Sequence, residues 1–432
     1  MAQPKMGVVR WMLGETHYPD NSYTREKDNS PIRPYDMSTD TMTEFMGVKS
    51  DPVGEAVVTG NLVKLTAALQ PAGKVTKGSA GYTFDGRLND AFTAVNLLLD
   101  KGVAVRRVDH GLGFTPGDFV VAAAPDALVA EIAKHTGVDF KALNAAAPPT
   151  SHDVKRQRIA MYQRYNGGNS DEGWTQFTLE QFHFPSAALM DTELKAGNLN
   201  AKYDVIVLPS DSTAALTGER PAAGAPSANT GSGRGGGGGE GGGGPQAPPE
   251  FRSGFGREGV DALRAFVQKG GTLLTFGGAG AFPIERLGIP VRNVLAGKSS
   301  KEFWCPGSTL RTRFDVNNPL TYGMPALGLA TFLADSQAYE TIATDHSERI
   351  ETLATFAERD ILQSGWLLGE ELLSKKAAAL SVRMGQGRVV LIGFRAQHRA
   401  QTHGTYKIVF NALIEGSAVP AARATTDQAG VR

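Results

Sequence analysis

Cysteine is almost missing from this sequence: of 432 residues, Cys305 alone carries a thiol. One thiol excludes an intramolecular disulfide framework and a thiolate cluster for zinc or iron and sulfur, so packing must supply the stability. Net charge is missing as well, with 44 Lys plus Arg against 44 Asp plus Glu. No overall field draws such a chain to nucleic acid or to an anionic membrane surface, and neither is an expected partner. No apolar run approaches the roughly 20 residues needed to cross a bilayer. Residues 1–20 mix charge, Pro and Gly and show no export signal.

What is present is a composition of 41% hydrophobic and 20% charged residues, which fits a globular chain divided into two or three domains. Residues 1–60 are rich in Pro, Asp, Ser and Thr without periodicity, and read as an extended, wrapping segment that needs something to lie against. Residues 61–147 read as a small α/β lobe. There a strand at 82–85 leads to a helix capped by Asn89, with Ala91, Phe92, Val95, Leu98 and Leu99 on one face. Strands at 103–108 and 119–124 follow, then a helix opened by Asp126. Arg107, Asp109 and His110 read as a polar surface cluster.

Residues 145–156, with Pro148 and Pro149, read as a linker. Strand and helix then alternate through residues 157–416. A strand at 158–163 precedes a helix at 172–182, with Asp171 at its N-cap and Trp174, Phe177 and Phe182 on its apolar side. A buried strand at 203–209, a helix at 258–269 ended by Gly270 and Gly271, and a strand at 272–276 follow. This order implies right-handed crossovers and a doubly wound, mainly parallel sheet covered on both faces. The insert at 217–250 is nearly all Gly, Pro, Ala and Ser, including Gly235 to Gly239. It lacks the Lys and Ser or Thr of a phosphate loop and reads as a disordered surface loop. A hairpin turns at Gly385-Gln386-Gly387, a helix closes the domain at 406–414, and 417–432 is a flexible tail.

Four stretches carry a resemblance: Asp171-Glu172-Gly173-Trp174-Thr175, Phe303-Trp304-Cys305-Pro306-Gly307-Ser308, the strand pair around Gly385 to Phe394, and Gln401-Thr402-His403-Gly404-Thr405. Together they resemble the C-terminal region of large bacterial zinc carboxypeptidases of the carboxypeptidase A type, where a class I glutamine amidotransferase-like domain follows the peptidase. The resemblance spans residues 35–414 and implies a glutamine amidotransferase-like or flavodoxin-like α/β fold. It also implies a peptidase domain as partner, in the same parent chain or an adjacent gene, and a secreted or periplasmic parent. The peptidase itself has no counterpart here. Its zinc needs His-x-x-Glu so that two ligands converge on one ion, and none of the 8 histidines has Glu three residues on. No metal ligand, catalytic residue or cofactor is therefore expected in this chain.

The amidotransferase chemistry is missing in the same way. Its Cys nucleophile sits on a tight turn after a strand, and the matching turn is Gly277-Gly278-Ala279-Gly280, with Ala279 in place of sulfur. A methyl group cannot attack an amide. Candidate ligand contacts are the residues at strand ends, where open α/β sheets bind ligands: Glu172, Trp174, Ala279, His398 and His403. Each has a plainer reading, Trp174 as core and His403 as a helix cap, and Cys305 reads as a packed small hydrophobe before a reactive thiol. Three functions follow as expectations. The first is a non-catalytic accessory region of a carboxypeptidase-like protein. The others are a small-molecule or carbohydrate binding module and an enzyme of unknown type at the sheet edge.

Overall fold

The computed structural model of the protein describes residues 6–54, 63, 65–144, 149–165, 168–219, 253–343 and 349–416. The Gly-rich run and the tail expected from the sequence lie outside these residues. The N-terminal segment contains two short helices, α1 (Met6–Leu13) and α2 (Met42–Met46). Its backbone is tied down at a distance: the Tyr18 N–H donates to the Gly365 carbonyl at 2.9 Å, and the Ser38 hydroxyl to the Gly307 carbonyl at 2.7 Å. Tyr18 stacks on Trp366 with centroids 5.3 Å apart.

The small lobe is a five-stranded antiparallel sheet, ordered β4 (Lys141–Leu143), β1 (Gly81–Phe84), β3 (Phe119–Val121), β2 (Val105–His110), β5 (Thr150–Val154). The fifth strand falls in the stretch read as a linker. From Thr150 to Val154 the chain pairs with β2 from Val105 to His110, so the polar sequence serves as an edge strand. Helices α3 (Asn89–Asp100) and α4 (Asp126–Thr136) pack on the sheet through Ala91, Phe92, Val95, Leu98, Val129 and Ile132. Asn89 is not the cap of α3. Leu88 holds that position without a side-chain bond, and Asn89 instead donates its amide to the His403 carbonyl at 2.9 Å. Arg107 is not at the surface either. It is fully buried, its guanidinium lying 4.6 Å from the Phe119 ring and 5.3 Å from Phe92, where a planar, weakly hydrated cation is best tolerated.

The larger sheet has 12 strands among the described residues, three of which, β10 (Val291–Asn293), β13 (Tyr339–Thr341) and β15 (Leu362–Ser364), pair off its main path. One half is parallel, in the order β7 (Ser186–Leu189), β6 (Ile159–Tyr162), β8 (Val205–Leu208), β9 (Thr272–Phe276), β17 (Gly387–Ile392). Every residue of β6, β8, β9 and β17 is buried, which is how a strand covered on both faces must read. Alternate side chains enter two different cores. Ile159, Met161, Val205, Val207, Leu274 and Val390 meet Leu179 of α5 (Ser170–Gln181) and Phe410 of α9 (Tyr406–Glu415). Ala160, Ile206, Leu208, Leu273 and Leu391 meet Leu194 of α6 (Asp191–Ala196) and Leu263 and Phe266 of α8 (Gly256–Gln268). The protein is thus α/β, with the parallel, doubly wound sheet expected from strand-helix alternation.

The other half of the sheet extends it with antiparallel strands. β16 (Ala377–Met384) pairs β17, then come β14 (Ile350–Phe356), β11 (Ser308–Phe314) and β12 (Leu327–Phe332). Cys305 lies at the start of this wing, buried, with its thiol directed at the Phe332 carbonyl at 3.8 Å. Burial pushes the thiol up to about 12, which leaves no thiolate at neutral pH. The small lobe joins the main domain through a continuous core, in which Phe92 of α3 meets Phe410 of α9 at 5.3 Å.

Candidate functional site at the carboxyl edge of the parallel strands

Four parallel strands deliver their following residues to one place, and those residues are polar. After β6, Asn169 caps α5 by accepting the Asp171 N–H at 2.9 Å, and its amide donates to the Ser210 carbonyl at 3.0 Å. The N-cap is thus Asn169, not Asp171, which frees the Asp171 carboxylate for other partners. After β8 come Ser210 and Asp211, and Asp211 pairs with Arg164 at 2.9 Å. After β9 the chain turns at Gly277, where φ is +45° and a Cβ would stand 2.8 Å from the Ser210 hydroxyl. Only glycine fits there. After β17 come Arg395 and Gln397.

Arg395 is the hub. It donates to Asp171 at 2.7 Å and to Asp335, which is carried on the loop after β12, at 3.2 Å and through a second, closer contact. Asp171 also accepts from the Ser210 N–H at 2.8 Å and from the Gln397 amide at 2.7 Å. The Ser210 hydroxyl donates to Asp335 at 2.6 Å and accepts the Gly278 N–H at 3.0 Å. Burial alone would raise the Asp335 carboxyl, but Arg395 and Ser210 outweigh it and hold it below the usual carboxylate range. Burial works against the Arg395 charge too, and the two aspartates overcome it. The Arg395 charge and the donors of Arg395, Gln397 and Ser210 are therefore consumed inside the cluster, while the Gln397 side-chain oxygen is buried without a hydrogen-bond partner. Asp211 differs: burial raises its carboxyl despite Arg164.

The five residues singled out in the sequence do not converge. Glu172 is buried in the first turn of α5, where burial raises its carboxyl. Trp174 lies on the opposite face, 41% exposed, with Phe177 beside it at 46%. The inward face of α5 is instead Asp171, Glu172, Thr175, Thr178 and Leu179. Ala279 is fully buried, its methyl group in the core with Phe282 and Leu208, so it faces no cleft. His398 is buried beside the cluster, and burial together with Arg395 and Arg399 pushes its pKa down to about 4. It stays neutral at physiological pH. His403 stands apart. It packs against Tyr406, the rings tilted with centroids 4.6 Å apart, and lines a separate open cleft of 2310 Å³, whose wall includes none of Asp171, Ser210, Asp335 or Arg395.

Sequence reasoning missed Arg395, Asp335, Ser210 and Gln397. For all but Asp335 a signal existed, because Ser210 and Arg395 are the first polar residues after buried strands and Gln397 follows two residues on, where open sheets place their ligand-facing groups.

No protein-family model matches this sequence, and no curated protein matches it either. Several solved structures are distantly similar to part of this chain. One described as a ThuA-like protein from Bacteroides uniformis is 11% identical, with 61% of this chain and 94% of that chain covered and a TM-score of 0.31. PurLQS from Thermotoga maritima is 14% identical, covering 60% of this chain and 98% of that one at a TM-score of 0.35. A protein described as part of the GMP synthase of Thermoplasma acidophilum is 9% identical, covering 60% and 95% at a TM-score of 0.33. Likenesses this distant carry no functional argument. The α/β class rests on the strand order above.

Proposed function

We propose that this chain is a non-catalytic accessory region that supports or extends a peptidase-type domain. The observation that carries the reading is the state of the sheet edge. The turn matching an amidotransferase nucleophile holds a fully buried alanine, Ala279, and Arg395 is neutralised by Asp171 and Asp335. A reacting site needs an exposed nucleophile and unspent donors aimed at developing charge. Here the donors are spent on the protein itself. Beside that edge, Trp174 and Phe177 are exposed in an edge-to-face pair with centroids 6.0 Å apart, which offers a partner domain aromatic surface of the kind enriched at interfaces.

The test has two arms. The purified chain is expected to hydrolyse neither glutamine nor peptide C-termini, and Ala279→Cys to yield a thiol that stays unmodified by iodoacetamide until the protein unfolds. A peptidase domain from the same parent gene or its neighbour should raise the chain's melting temperature on mixing, less so with Trp174→Ser. Hydrolysis by the wild-type chain would sink the reading, as would a peptidase domain that leaves its melting unchanged.

A further inference from the structure

The open cleft contains a charge that the protein does not neutralise. Lys407, in the first turn of α9, lines the cleft yet is only 8% exposed. Its ammonium has one hydrogen-bond partner, the neutral Asn89 side-chain oxygen at 3.4 Å. No carboxylate among the described residues comes within ion-pair distance of it. The position adds to the imbalance, because the first turn of a helix is already electropositive. Thr405, the residue before α9, makes no capping bond, and its hydroxyl is spent on the Ala396 carbonyl at 2.8 Å. A second helix begins alongside: α3 also starts without a side-chain cap, and Asn89 holds the two starts together by donating to the His403 carbonyl at 2.9 Å.

We infer that this corner of the cleft is a binding site for an organic monocarboxylate with an apolar chain, the carboxylate resting on Lys407. A buried ammonium is stable only when paired, and the missing partner is one negative charge. A dianion such as phosphate fits less well. The neighbouring Arg87 is already committed to Asp85, through bonds of 2.7 and 2.9 Å; of the other arginines of the wall, Arg311 donates to the Leu362 carbonyl at 2.8 Å, and Arg10 and Arg313 are exposed to solvent. The apolar chain is accommodated because Leu88, Met46, Met324 and Trp11 line the same cleft as Lys407. Burial lowers the Lys407 amine to about 8, partly offset by Asp85. Asp90, raised by burial, lies near His403, which is lowered by it, and the cleft wall also carries Glu15, His17, Glu44 and Asp51.

Octanoate titrated into the full chain at about pH 7 by calorimetry tests the site. One saturable equivalent is expected, weakened about tenfold or more in Lys407→Met and largely retained in Lys407→Arg, which keeps the charge. Binding should fade as the pH rises well above 8, since the amine then carries no charge. Trace reductive methylation of the wild-type chain adds a readout that needs no variant: octanoate should protect Lys407 from modification. Absence of saturable binding, Lys407→Met binding as tightly as wild type, absence of protection, or inorganic phosphate displacing octanoate at lower concentration would each overturn the assignment.

Discussion

Arg395 joins two aspartates from opposite halves of the large sheet: Asp171 follows the parallel strand β6, and Asp335 follows the antiparallel strand β12. Removing the cation would leave two largely buried carboxylates facing each other. Breaking such a network from one side typically costs about 3–5 kcal/mol. Arg395→Met should therefore lower unfolding stability by roughly that much in urea titration, and Asp335→Asn added to it should recover part of the loss. Additive losses in the double variant would show that the pair is not coupled. The folded carboxyl of Asp335 is held low, so its contribution is present at neutral pH and disappears as pH falls through the folded value. Strand ends were legible in the sequence, and hence so was the place where a site would form. Its members were not, because Arg395 is 60 residues from Asp335 and 224 from Asp171, and side-chain pairing at such separations leaves no periodic trace.

Elements were read well where both faces of a strand are buried, because β6, β8, β9 and β17 are then nearly all apolar, interrupted by Thr272, Thr275 and Arg388. The helix α5 was misphased for a comparable reason. Its inward positions hold Asp171, Glu172 and Thr175 for the polar cluster, while its aromatics face outward, so hydrophobic periodicity points at the wrong side. The insert between α7 (Thr213–Thr217) and α8 is the other element with a testable consequence. Its two flanks touch: a Cβ on Gly254 would lie 2.4 Å from the Gly218 Cα, and the Phe255 N–H donates to the Leu216 carbonyl at 3.0 Å. A loop whose ends already meet can be shortened at little entropic cost. Deleting residues 222–247 and joining the flanks with a short Gly-Ser link should leave the melting temperature within about 2 °C of wild type. A large drop, or insoluble protein, would mean that the excised segment packs against the body.

At the scale of the molecule, the antiparallel wing beyond the β16–β17 hairpin was not read from the sequence, because β12 and β14 are buried over only part of their length. The docking of the small lobe depends on a contact that sequence reading also passed over. His152, on β5, bridges Asp109 of β2 at 2.9 Å and Glu415, in the last turn of α9, at 3.0 Å. Glu415 sits at the negative end of its helix, where a carboxylate is unfavourable unless a cation meets it. Arg107 supplies part of that need, its Nε 3.9 Å from Glu415, and His152 supplies the rest when protonated. Burial opposes that charge, but Glu415 and Asp109 outweigh it and raise the imidazole above its usual value. The sign follows from linkage: a group whose pKa is higher in the folded state stabilises fully below its unfolded value near 6.5, and loses that contribution as pH rises through the folded value. The chain should thus be held together more firmly at about pH 6 than at about pH 8.5, and His152→Gln should remove most of that difference while costing about 1–2 kcal/mol at the lower pH. Urea unfolding of both proteins at the two pH values measures it. An unchanged pH dependence in His152→Gln would place the titrating group elsewhere, and a variant as stable as wild type at low pH would mean that Arg107 alone satisfies Glu415.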